Sequence, residues 1–285
     1  MTGSKYIDLH LHSNCSDGIH PPETVVRMAA DAGISAVAIC DHDNIAACQA
    51  ALTAGRAAGI DVLSGVELSV VHDGIFDIHL LGYGFDPQHP QLVARLNEFQ
   101  QFRQHRNAQI VDNINTRLRD HGHEPLNFDA VVSRAGGALG RPHIGRELIE
   151  RGYAGSMEEA FQRYLVPCNV KKRFFPIDEA MALIHQAGGV AVLAHPAFIP
   201  IDDERFRHML DNWVALGLDG VECHFGGVTR QRIDWYITEA RRRKLLVTGG
   251  SDYHGDAGKK IGYCGMGNLR IPYACYEEVV AALGR

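Results

Sequence analysis

The chain has 285 residues, 46% of them hydrophobic, and is therefore long enough for a substantial core, in one large domain or in one domain with an insertion. Its net charge of −6 and its isoelectric point near 6.2 exclude an extended basic surface for long nucleic acid. The sequence has no apolar run long enough to cross a membrane and no signal-type stretch, which predicts a protein that contacts no membrane. Its odd number of cysteines, without a CxxC pair, favours reduced thiols in a cytoplasmic protein.

The first eighty residues alternate between short apolar runs and stretches with helical spacing. The apolar runs predict four strands, at residues 6–9, 37–40, 62–66 and 76–81. Two helices are predicted between the first three strands, over residues 22–32 and 46–58. Each of them is closed by a glycine that suits a left-handed C-terminal cap.

The alternation breaks at residues 90–176, where the pattern is helical and no strand is predicted. Leu92, Leu96 and Phe99 begin a long amphipathic helix, and the sequence from Ser156 to Glu159 predicts a capping box at the start of a further one. The block is too long for a loop in a compact domain. We therefore predict a helical subdomain at residues 90–176, inserted above a domain formed by residues 1–89 and 177–285.

The strand–helix alternation returns after residue 176. Three more strands are predicted, at residues 190–194, 218–223 and 245–248, with helices from Asp178 to Ala187 and from about Thr229. A short C-terminal helix follows a glycine-containing segment that closes the domain. Seven strands with helices between most of them predict an α/β fold with a mainly parallel sheet. Polar residues at the strand ends favour a barrel of the TIM type over an open sheet.

Histidine is the outlying residue type, with 16 copies. Several of them, with three carboxylates, end the predicted strands or follow them closely: His10, His12, Asp17, His42, Glu67, His79, His195, Asp252 and His254. Taken singly, each is as readily a core or turn residue, but their joint placement predicts a metal site. Imidazole and carboxylate without thiolate suit Mn²⁺, Zn²⁺ or Fe²⁺, and nine ligands imply two or three ions.

These residues occur in the order His10-x-His12, Asp17, Asp41-His42, Glu67, His79, His195 and Asp252-x-His254. The ordered set resembles the PHP superfamily, named for polymerase and histidinol phosphatase. The resemblance spans residues 5–254 and implies a distorted seven-stranded β/α barrel, a trinuclear metal site and phosphoesterase activity. The helical block and the sequence Gly140-Arg141-Pro142-His143 are similar to a narrower group, the 3′,5′-nucleotide bisphosphate phosphatases, whose relatives also trim short 5′-phosphorylated RNA.

The resemblance also implies an assignment of ligands to three ions, with Mn²⁺ favoured and Zn²⁺ or Fe²⁺ as alternatives. The three sets are His10, His12, Glu67 and Asp252; Glu67, His79 and His195; and Asp17, His42 and His254. Asp41 is expected to orient a neighbouring histidine. A hydroxide bridging two ions, held by Glu67, Asp252 and His195, would attack the phosphorus in line.

Basic residues near glycines and prolines of the helical block are candidates for binding a second phosphate, since Arg forks suit phosphate geometry. The candidates are Arg134, Arg141, His143 and Lys171, and ordinary solvated charge is the alternative for each. His224, after the sixth predicted strand, is either a substrate-contacting general acid or a structural residue. The basic run from Arg241 to Lys244 is interpreted as a charged helix terminus.

These residues together predict a phosphomonoesterase that releases the 3′-phosphate from nucleoside 3′,5′-bisphosphates such as adenosine 3′,5′-bisphosphate. The expected partner is a small nucleotide, with short RNA as the alternative and no long nucleic acid. Two alternatives keep the fold: a 5′-to-3′ exoribonuclease and a histidinol phosphate phosphatase. A non-catalytic binding module and an amidohydrolase acting on C–N bonds are the alternatives from other classes.

Overall fold

The computed structural model describes residues 4–135, 139–255 and 259–284, without the side chains of residues 134 and 135. The strands are β1 (Ile7–Leu11), β2 (Ala36–Ile39), β3 (Asp61–His72), β4 (Ile75–Tyr83), β5 (Phe175–Pro176), β6 (Val190–Leu193), β7 (Gly220–His224), β8 (Leu246–Gly249), β9 (Tyr263–Cys264) and β10 (Leu269–Arg270). The helices are α1 (Pro22–Asp31), α2 (Cys48–Ala58), α3 (Pro90–Asp120), α4 (Phe128–Ala135), α5 (Arg141–Glu150), α6 (Met157–Ala160), α7 (Ile177–Gln186), α8 (Asp203–Ala215), α9 (Arg230–Arg242) and α10 (Ala274–Ala282).

One mainly parallel sheet forms the centre of the fold, in the order β1-β2-β3-β4-β6-β7-β8, with β5 paired to β3. Neighbours are parallel from β1 to β3 and from β6 to β8. Strand β4 is antiparallel to both β3 and β6. Strands such as β2 are buried along their whole length, which explains their unbroken apolar sequences. The predicted α/β class with a mainly parallel sheet is confirmed.

The two outer strands of this sheet, β1 and β8, are not joined by a strand ladder within the described residues. The segment that follows β8 lies beside β1 instead. Tyr253 forms a bridge with Leu11, the amide of Asp252 donates to the carbonyl of His10 (2.9 Å), and the amide of His12 donates to the carbonyl of Tyr253 (2.9 Å). The closed barrel therefore stays a prediction.

The β3–β4 hairpin differs most from the predicted strands. Both strands extend well beyond residues 62–66 and 76–81, because Asp73 and Gly74 form a tight turn with φ angles of 48° and 73°. Two consecutive positive φ angles are typical of the turn that joins paired antiparallel strands, and Asp-Gly is its usual sequence. Glu67 consequently lies inside a long strand and not at a strand end, and His79 lies inside β4, as the predicted strand at residues 76–81 already placed it.

Other boundaries also differ from prediction. The expectation of no strand in residues 90–176 is wrong, because β5 pairs with β3 there. Helix α8 was not predicted, and α7 begins at Ile177, directly after Pro176, without a cap from Asp178. The predicted cap at Ser156 is confirmed, since its hydroxyl accepts from the amide of Glu159 (3.2 Å). The second bond of the predicted capping box is shifted by one residue, because the Glu159 carboxylate accepts from the amide of Gly155 (2.7 Å).

Helix α3 connects two hydrophobic cores. Its first third contributes Leu92 and Phe99 to the large core around the sheet. Its later turns contribute Ile110 and Ile114 to a separate core shared with the residues of α4, α5 and α6. The division of the chain at residues 90 and 176 stays a prediction. Among the described helices, none has both the length and the apolar character needed to cross a membrane.

Candidate metal centre

The sheet brings its metal-type side chains to one point. His10 on β1 and Glu67 on β3 are fully buried. Strand β4 places His79 opposite Ser69, one same-face step along β3 from Glu67, and β6, next to β4, leads directly to His195. All nine predicted ligands lie around this point: His10, His12, Asp17, His42, Glu67, His79, His195, Asp252 and His254.

Glu67 is the centre of the cluster. Its Oε1 lies 2.8 Å from His79 Nδ1 and 2.9 Å from His195 Nε2, and those two rings are 3.4 Å apart at the same nitrogens. Its Oε2 faces three more imidazoles: His42 Nδ1 at 3.0 Å, His10 Nε2 at 3.3 Å and His12 Nε2 at 3.3 Å. The two oxygens of one carboxylate therefore face different groups of ligands.

The remaining carboxylates lie on the outer side of the cluster. Asp252 Oδ1 lies 3.1 Å from His12 Nε2. Asp17 Oδ1 lies 3.3 Å from His254 Nε2, and Asp17 Oδ2 lies 3.7 Å from His42 Nε2. His254 also hydrogen-bonds the carbonyl of Asp252 through Nδ1 (2.9 Å), which fixes the orientation of its ring.

These separations fit donor atoms that share ions. Two donors bound to one ion at about 2.0–2.2 Å and at right to tetrahedral angles lie about 3–3.5 Å apart. Four buried ring or carboxylate atoms of the described cluster lack a hydrogen-bond partner: His12 Nδ1, His42 Nδ1, Glu67 Oε2 and His79 Nε2. Because an unpartnered buried polar atom is costly, the donor set suits divalent cations better than a metal-free hydrogen-bond network.

The pKa values of the cluster show how strongly its charges interact. Burial alone would lower the pKa of His12, but the neighbouring carboxylates of Asp252 and Glu67 raise it to about 10. Burial would also lower the pKa of His79, but the negative charge of Glu67 outweighs this effect and raises the pKa to about 9. Burial, together with repulsion from His12 and His79, lowers the pKa of His42 to about 3 against the attraction of Glu67 and Asp17. Cations that enter the cluster must therefore displace protons from His12 and His79.

Glu222 on β7 supports the cluster and was not predicted from the sequence. It is fully buried, its Oε1 accepts from Nδ1 of His10 (3.0 Å), and its Oε2 accepts from the backbone amide of His195 (2.7 Å). A proton held on Nδ1 leaves Nε2 of His10 free to face Glu67 and His12 as a donor to metal. The sequence signal that could have identified Glu222 is an acidic residue inside an otherwise apolar predicted strand.

We expect Glu222→Gln to weaken metal binding by about 10- to 100-fold without unfolding the protein. An amide has one acceptor, so either His10 loses its partner or the amide of His195 faces an N–H group. The measurement is a titration of the metal-free protein against a competing chelator. Glu23→Gln, at an exposed site on α1, is the control; equal affinity in the two variants would contradict this role for Glu222.

Two further buried carboxylates hold the backbone around the cluster. Asp41 accepts hydrogen bonds from the amide (2.8 Å) and hydroxyl (2.6 Å) of Ser13 and from the hydroxyl of Ser16 (2.6 Å). Asp41 thus fixes the loop between His12 and Asp17. The prediction that it orients a neighbouring histidine is wrong, because its carboxylate accepts from the two serines instead. A serine-rich loop offers nearer donors than the histidine rings do.

Asp8, also missed in the sequence, accepts from the amides of Ser251 (2.9 Å) and Gly262 (2.6 Å) and so joins β1 to the segments after β8. Burial raises its pKa from 3.8 to about 6, against the lowering effect of these hydrogen bonds. Because the folded pKa is above the unfolded one, the contribution of Asp8 to stability is full below pH 3.8 and is lost as the pH rises through 6.

We expect wild-type protein to lose about 2 kcal/mol of unfolding free energy through Asp8 between pH 4.5 and 7.5. Asp8→Asn has no carboxyl group to titrate. The difference in unfolding free energy between Asp8→Asn and wild type should therefore shift by about 2 kcal/mol in favour of the variant over the same pH interval, even though the variant loses the bond from the amide of Gly262. Denaturant unfolding of metal-free protein at the two pH values measures the difference. Parallel pH profiles would contradict the raised pKa.

Lys259 is a third contact that the sequence did not predict. Its Nζ donates to Oδ2 of Asp252 (2.6 Å) and to the carbonyl of the same residue (2.7 Å). Asp252 itself has a φ of 54°, in the left-handed region that costs energy for a residue with a side chain. The lysine therefore helps to hold Asp252, a candidate ligand, in its strained conformation.

A basic cavity of about 210 Å³ opens beside the cluster. Asp17, His42 and His79 form the part of its wall that belongs to the metal centre. Elsewhere its wall contains two carboxylates, Asp43 and Asp77, and five basic residues: Arg103 and Arg106 of α3, Arg141 of α5, and Lys172 and Arg173 before β5. Phe99, Phe102 and Phe161 are also in its wall. The cavity thus combines cations and aromatic rings next to the candidate metal centre.

Three of these arginines lie close enough to repel one another. Burial, together with the charges of Arg141 and Arg103, lowers the pKa of Arg106 to about 10. Arg103 is anchored by bonds from Nη1 to the carbonyl of His42 (3.2 Å) and to Asp43 (3.4 Å). Guanidinium groups gathered in this way are typical of an anion site, because a bound anion removes their repulsion.

The predicted substrate-binding residues are placed differently from one another. Arg141 lines the basic cavity, with its guanidinium over the ring of Phe161. His143 is buried, and its Nδ1 accepts from the amide of Gly140 (3.0 Å) at the start of α5. Lys171 is exposed and lies outside the wall of the basic cavity, whereas the neighbouring Lys172 lines that cavity.

Two more predicted residues complete this set. The side chain of Arg134 lies outside the described residues. His224 ends β7, and burial lowers its pKa; the largest opposing effect is the charge of Asp234 of α9. Its ring is absent from the walls of both cavities that adjoin the cluster within the described chain.

The second of these cavities, about 460 Å³ in volume, opens on the opposite ligands, His195 and Asp252. Phe198, Phe225, Tyr263 and Met266 form its apolar part, and Lys259 and Lys260 its basic part. The candidate metal centre therefore has one cavity beside His42 and His79 and another beside His195 and Asp252.

A model of the PHP domain matches residues 8–216, which is most of the chain. The chain belongs to the PHP domain family. Possible ligand groups within its cluster agree with that membership, since PHP phosphoesterases are metal-dependent. The resemblance stated from this ordered set of residues is confirmed.

Known relatives of this PHP protein differ in their named activities. A 5′-3′ exoribonuclease of Haemophilus influenzae is 33% identical over 254 residues, covering 88% of this chain and 90% of the relative. A 3′,5′-nucleoside bisphosphate phosphatase of Chromobacterium violaceum is 30% identical over 264 residues, covering 90% of each. A solved structure from C. violaceum, named an amidohydrolase with bound sulfate and no metal, matches with a TM-score of 0.82 and 28% identity over 97% of this chain and 96% of that one. The chain is a metal-dependent phosphoesterase of the PHP family.

Proposed function

We propose that this PHP protein removes the 3′-phosphate from nucleoside 3′,5′-bisphosphates such as adenosine 3′,5′-bisphosphate. One observation carries the proposal: the basic cavity shares Asp17, His42 and His79 with the metal centre. A phosphate at the metal centre and a second one among the arginines would therefore belong to a single small molecule.

The nine ligands divide into three sets around Glu67 in the proposed holoenzyme. The first is His10, His12, Glu67 and Asp252, the second is Glu67, His79 and His195, and the third is Asp17, His42 and His254. Imidazole with carboxylate suits Mn²⁺, with Zn²⁺ or Fe²⁺ as alternatives. Divalent cations there would lower the pKa of water and neutralise the phosphoryl oxygens.

The chain's own residues would then orient and hold the substrate. Glu222 keeps the ring of His10 directed at the centre, and Asp41 holds the loop that carries Asp17. Arg106 and Arg141 would bind the 5′-phosphate by charge-assisted hydrogen bonds. We leave His224 out of this scheme because its ring lines neither cavity.

The domain prediction fits this division of tasks. We propose that residues 1–89 and 177–285 form the PHP barrel that carries the metals, and that residues 90–176 are a helical unit inserted over it. All five cationic residues of the basic cavity come from that second range. Substrate selection would then depend on the inserted unit and phosphate hydrolysis on the barrel.

The relatives support both this substrate and one alternative. The C. violaceum relative is a 3′,5′-nucleoside bisphosphate phosphatase, and the neighbouring structure binds sulfate, an oxyanion of phosphate-like shape. The H. influenzae relative is a 5′-3′ exoribonuclease. The second cavity, beside His195 and Asp252, favours that activity as the alternative because it offers room for a substrate that extends past the metals.

Two other candidates fit the site less well. Histidinol phosphate carries an amine, which the cations of the basic cavity would repel. An amidohydrolase acting on C–N bonds usually has a lysine-derived bridge, whereas the central bridging position here is occupied by Glu67.

The test is phosphate release by Mn²⁺-loaded protein from adenosine 3′,5′-bisphosphate, 3′-AMP, 5′-AMP and histidinol phosphate. We expect kcat/KM for the bisphosphate to exceed that for 3′-AMP by about 100-fold or more, as a charged second phosphate contact would give. Equal rates on all the monophosphates and the bisphosphate would contradict the second phosphate site. Preference for histidinol phosphate would contradict the substrate class.

A further inference from the structure

Asp77 lies at an irregular point of strand β4. The register of the β3–β4 ladder shifts there, so that three steps along β4 oppose two steps along β3. Asp77 itself has a φ of 63°, in the left-handed region that costs energy for a residue with a side chain. Extra residues of this kind redirect a side chain and are frequent next to active sites. The side chain of Asp77 lines the basic cavity, as does that of His79.

One oxygen of Asp77 lies between a cation of the basic cavity and a candidate metal ligand. Its Oδ1 accepts from Nζ of Lys172 at 2.5 Å, and Nε2 of His79 lies 3.5 Å from the same oxygen. The first distance is that of a close ion pair, whereas the second is longer than a normal N–H···O hydrogen bond. Lys172 and His79 therefore compete for one carboxylate oxygen, and Lys172 has the closer contact.

The ring of His79 lacks the partner that this carboxylate could supply. Its Nδ1 faces Oε1 of Glu67 at 2.8 Å, and its Nε2 is buried without a hydrogen-bond partner among the described residues. A neutral imidazole that offers Nδ1 to a metal carries its proton on Nε2. A carboxylate that accepts this proton fixes the ring and makes the other nitrogen a stronger donor to metal. Asp77 is placed for that role but is held by Lys172.

We propose that Asp77 is a positioning residue through which the second phosphate site acts on the metal centre. A phosphate in the basic cavity would attract Lys172 away from Asp77, and the freed carboxylate would accept the Nε2 proton of His79. This role rests on the proposed function, which places a phosphate among these cations. Phosphate in the basic cavity and divalent cations at the metal centre would then bind cooperatively, each raising the affinity for the other by the same factor.

The first test measures this cooperativity without turnover. The affinity of metal-free protein for Mn²⁺ is titrated against a competing chelator, with and without saturating 5′-AMP. We expect 5′-AMP to raise the Mn²⁺ affinity about tenfold in wild type, and about twofold or less in Asp77→Asn and in Lys172→Gln. Direct attraction between the phosphate and the ions would act equally in all three proteins, so the difference between them reports on the Lys172–Asp77 contact.

Two matched controls come from the neighbouring residues. Asp73→Asn changes an exposed aspartate of the same hairpin that also has a positive φ, 48°. Lys171→Gln changes an exposed lysine next to Lys172 that lies outside the wall of the basic cavity. Asparagine tolerates the left-handed region, so neither aspartate variant should alter the backbone. Both controls should keep the wild-type effect of 5′-AMP on Mn²⁺ affinity.

The second test separates kcat from KM at saturating Mn²⁺. Because 3′-AMP has no 5′-phosphate to attract Lys172, its kcat should not depend on Asp77. We expect Asp77→Asn to lower kcat for adenosine 3′,5′-bisphosphate about tenfold and to leave kcat for 3′-AMP within about twofold of wild type. Damage to the fold or to His79 would instead lower both values.

The outcomes distinguish this role from the function on which it rests. The same effect of 5′-AMP on Mn²⁺ affinity in wild type, Asp77→Asn and Lys172→Gln would overturn the role of Asp77 and leave the proposed function intact. An equal fall in kcat for both substrates in Asp77→Asn would also overturn it. Failure of metal-free wild type to bind 5′-AMP in calorimetry would overturn the second phosphate site, and with it the proposed function.

Discussion

Replacing Glu67 by Gln is expected to lower phosphate release by about a thousandfold or more. Both oxygens of Glu67 face imidazoles at 2.8–3.3 Å, and a neutral amide keeps one acceptor but loses the charge. Glu67 also has its pKa held well below its usual range, despite burial, by His42, His79 and His10, so it is ionised at any pH near neutral. The measurement is kcat/KM for adenosine 3′,5′-bisphosphate with saturating Mn²⁺.

The shape of the Glu67→Gln side chain is nearly unchanged, so the fold should persist. Circular dichroism and the unfolding midpoint of the metal-free variant check this. Glu23→Gln should retain wild-type activity. Activity in Glu67→Gln within tenfold of wild type would contradict a central role for this carboxylate.

The second large effect is expected for Arg141→Ala, on selectivity. The ratio of kcat/KM, bisphosphate over 3′-AMP, should fall by about 100- to 1000-fold, because a desolvated charge-assisted contact to phosphate is lost. The loss should appear mainly in KM, since the contact is made equally in the ground state and in the transition state. Steady-state kinetics with both substrates at one ionic strength measure it.

Arg119→Ala is the matched control for that variant, since Arg119 is exposed near the end of α3 and outside the walls of the basic cavity. It should leave the ratio unchanged. A similar fall in kcat for both substrates in Arg141→Ala would mean that this arginine serves the reacting phosphate, and an unchanged ratio would mean that the 5′-phosphate lies elsewhere.

The candidate metal ligands could be identified from the sequence because their spacing is local. His10 and His12, like Asp252 and His254, stand two residues apart, and each pair follows or ends a strand that apolar pattern identifies. Glu67 and His79 could be assigned to the site because of the predicted strands next to them, although those strands are longer than predicted. Asp73-Gly74 carried the hairpin signal that would have corrected both lengths.

The residues that support the site could not be predicted because their partners are distant in sequence. Glu222 contacts His10 across 212 positions, and Asp8 contacts Gly262 across 254. Nothing local distinguishes Arg103 from the other basic residues of α3, since its role depends on which helix face meets the carbonyl of His42. Closure of the sheet is equally non-local, because it depends on how the segment after β8 lies beside β1.

We propose that the cluster around Glu67 is a polynuclear metal centre on which hydrolysis depends. The measurement that tests it most directly is metal content per chain, by mass spectrometry, on protein stripped with chelator and reloaded with Mn²⁺, with phosphate release followed in parallel. We predict two or three ions per chain, activity that returns only with them, and one ion or none in Glu67→Gln. Full activity in stripped protein, or wild-type metal content in Glu67→Gln, would contradict the claim.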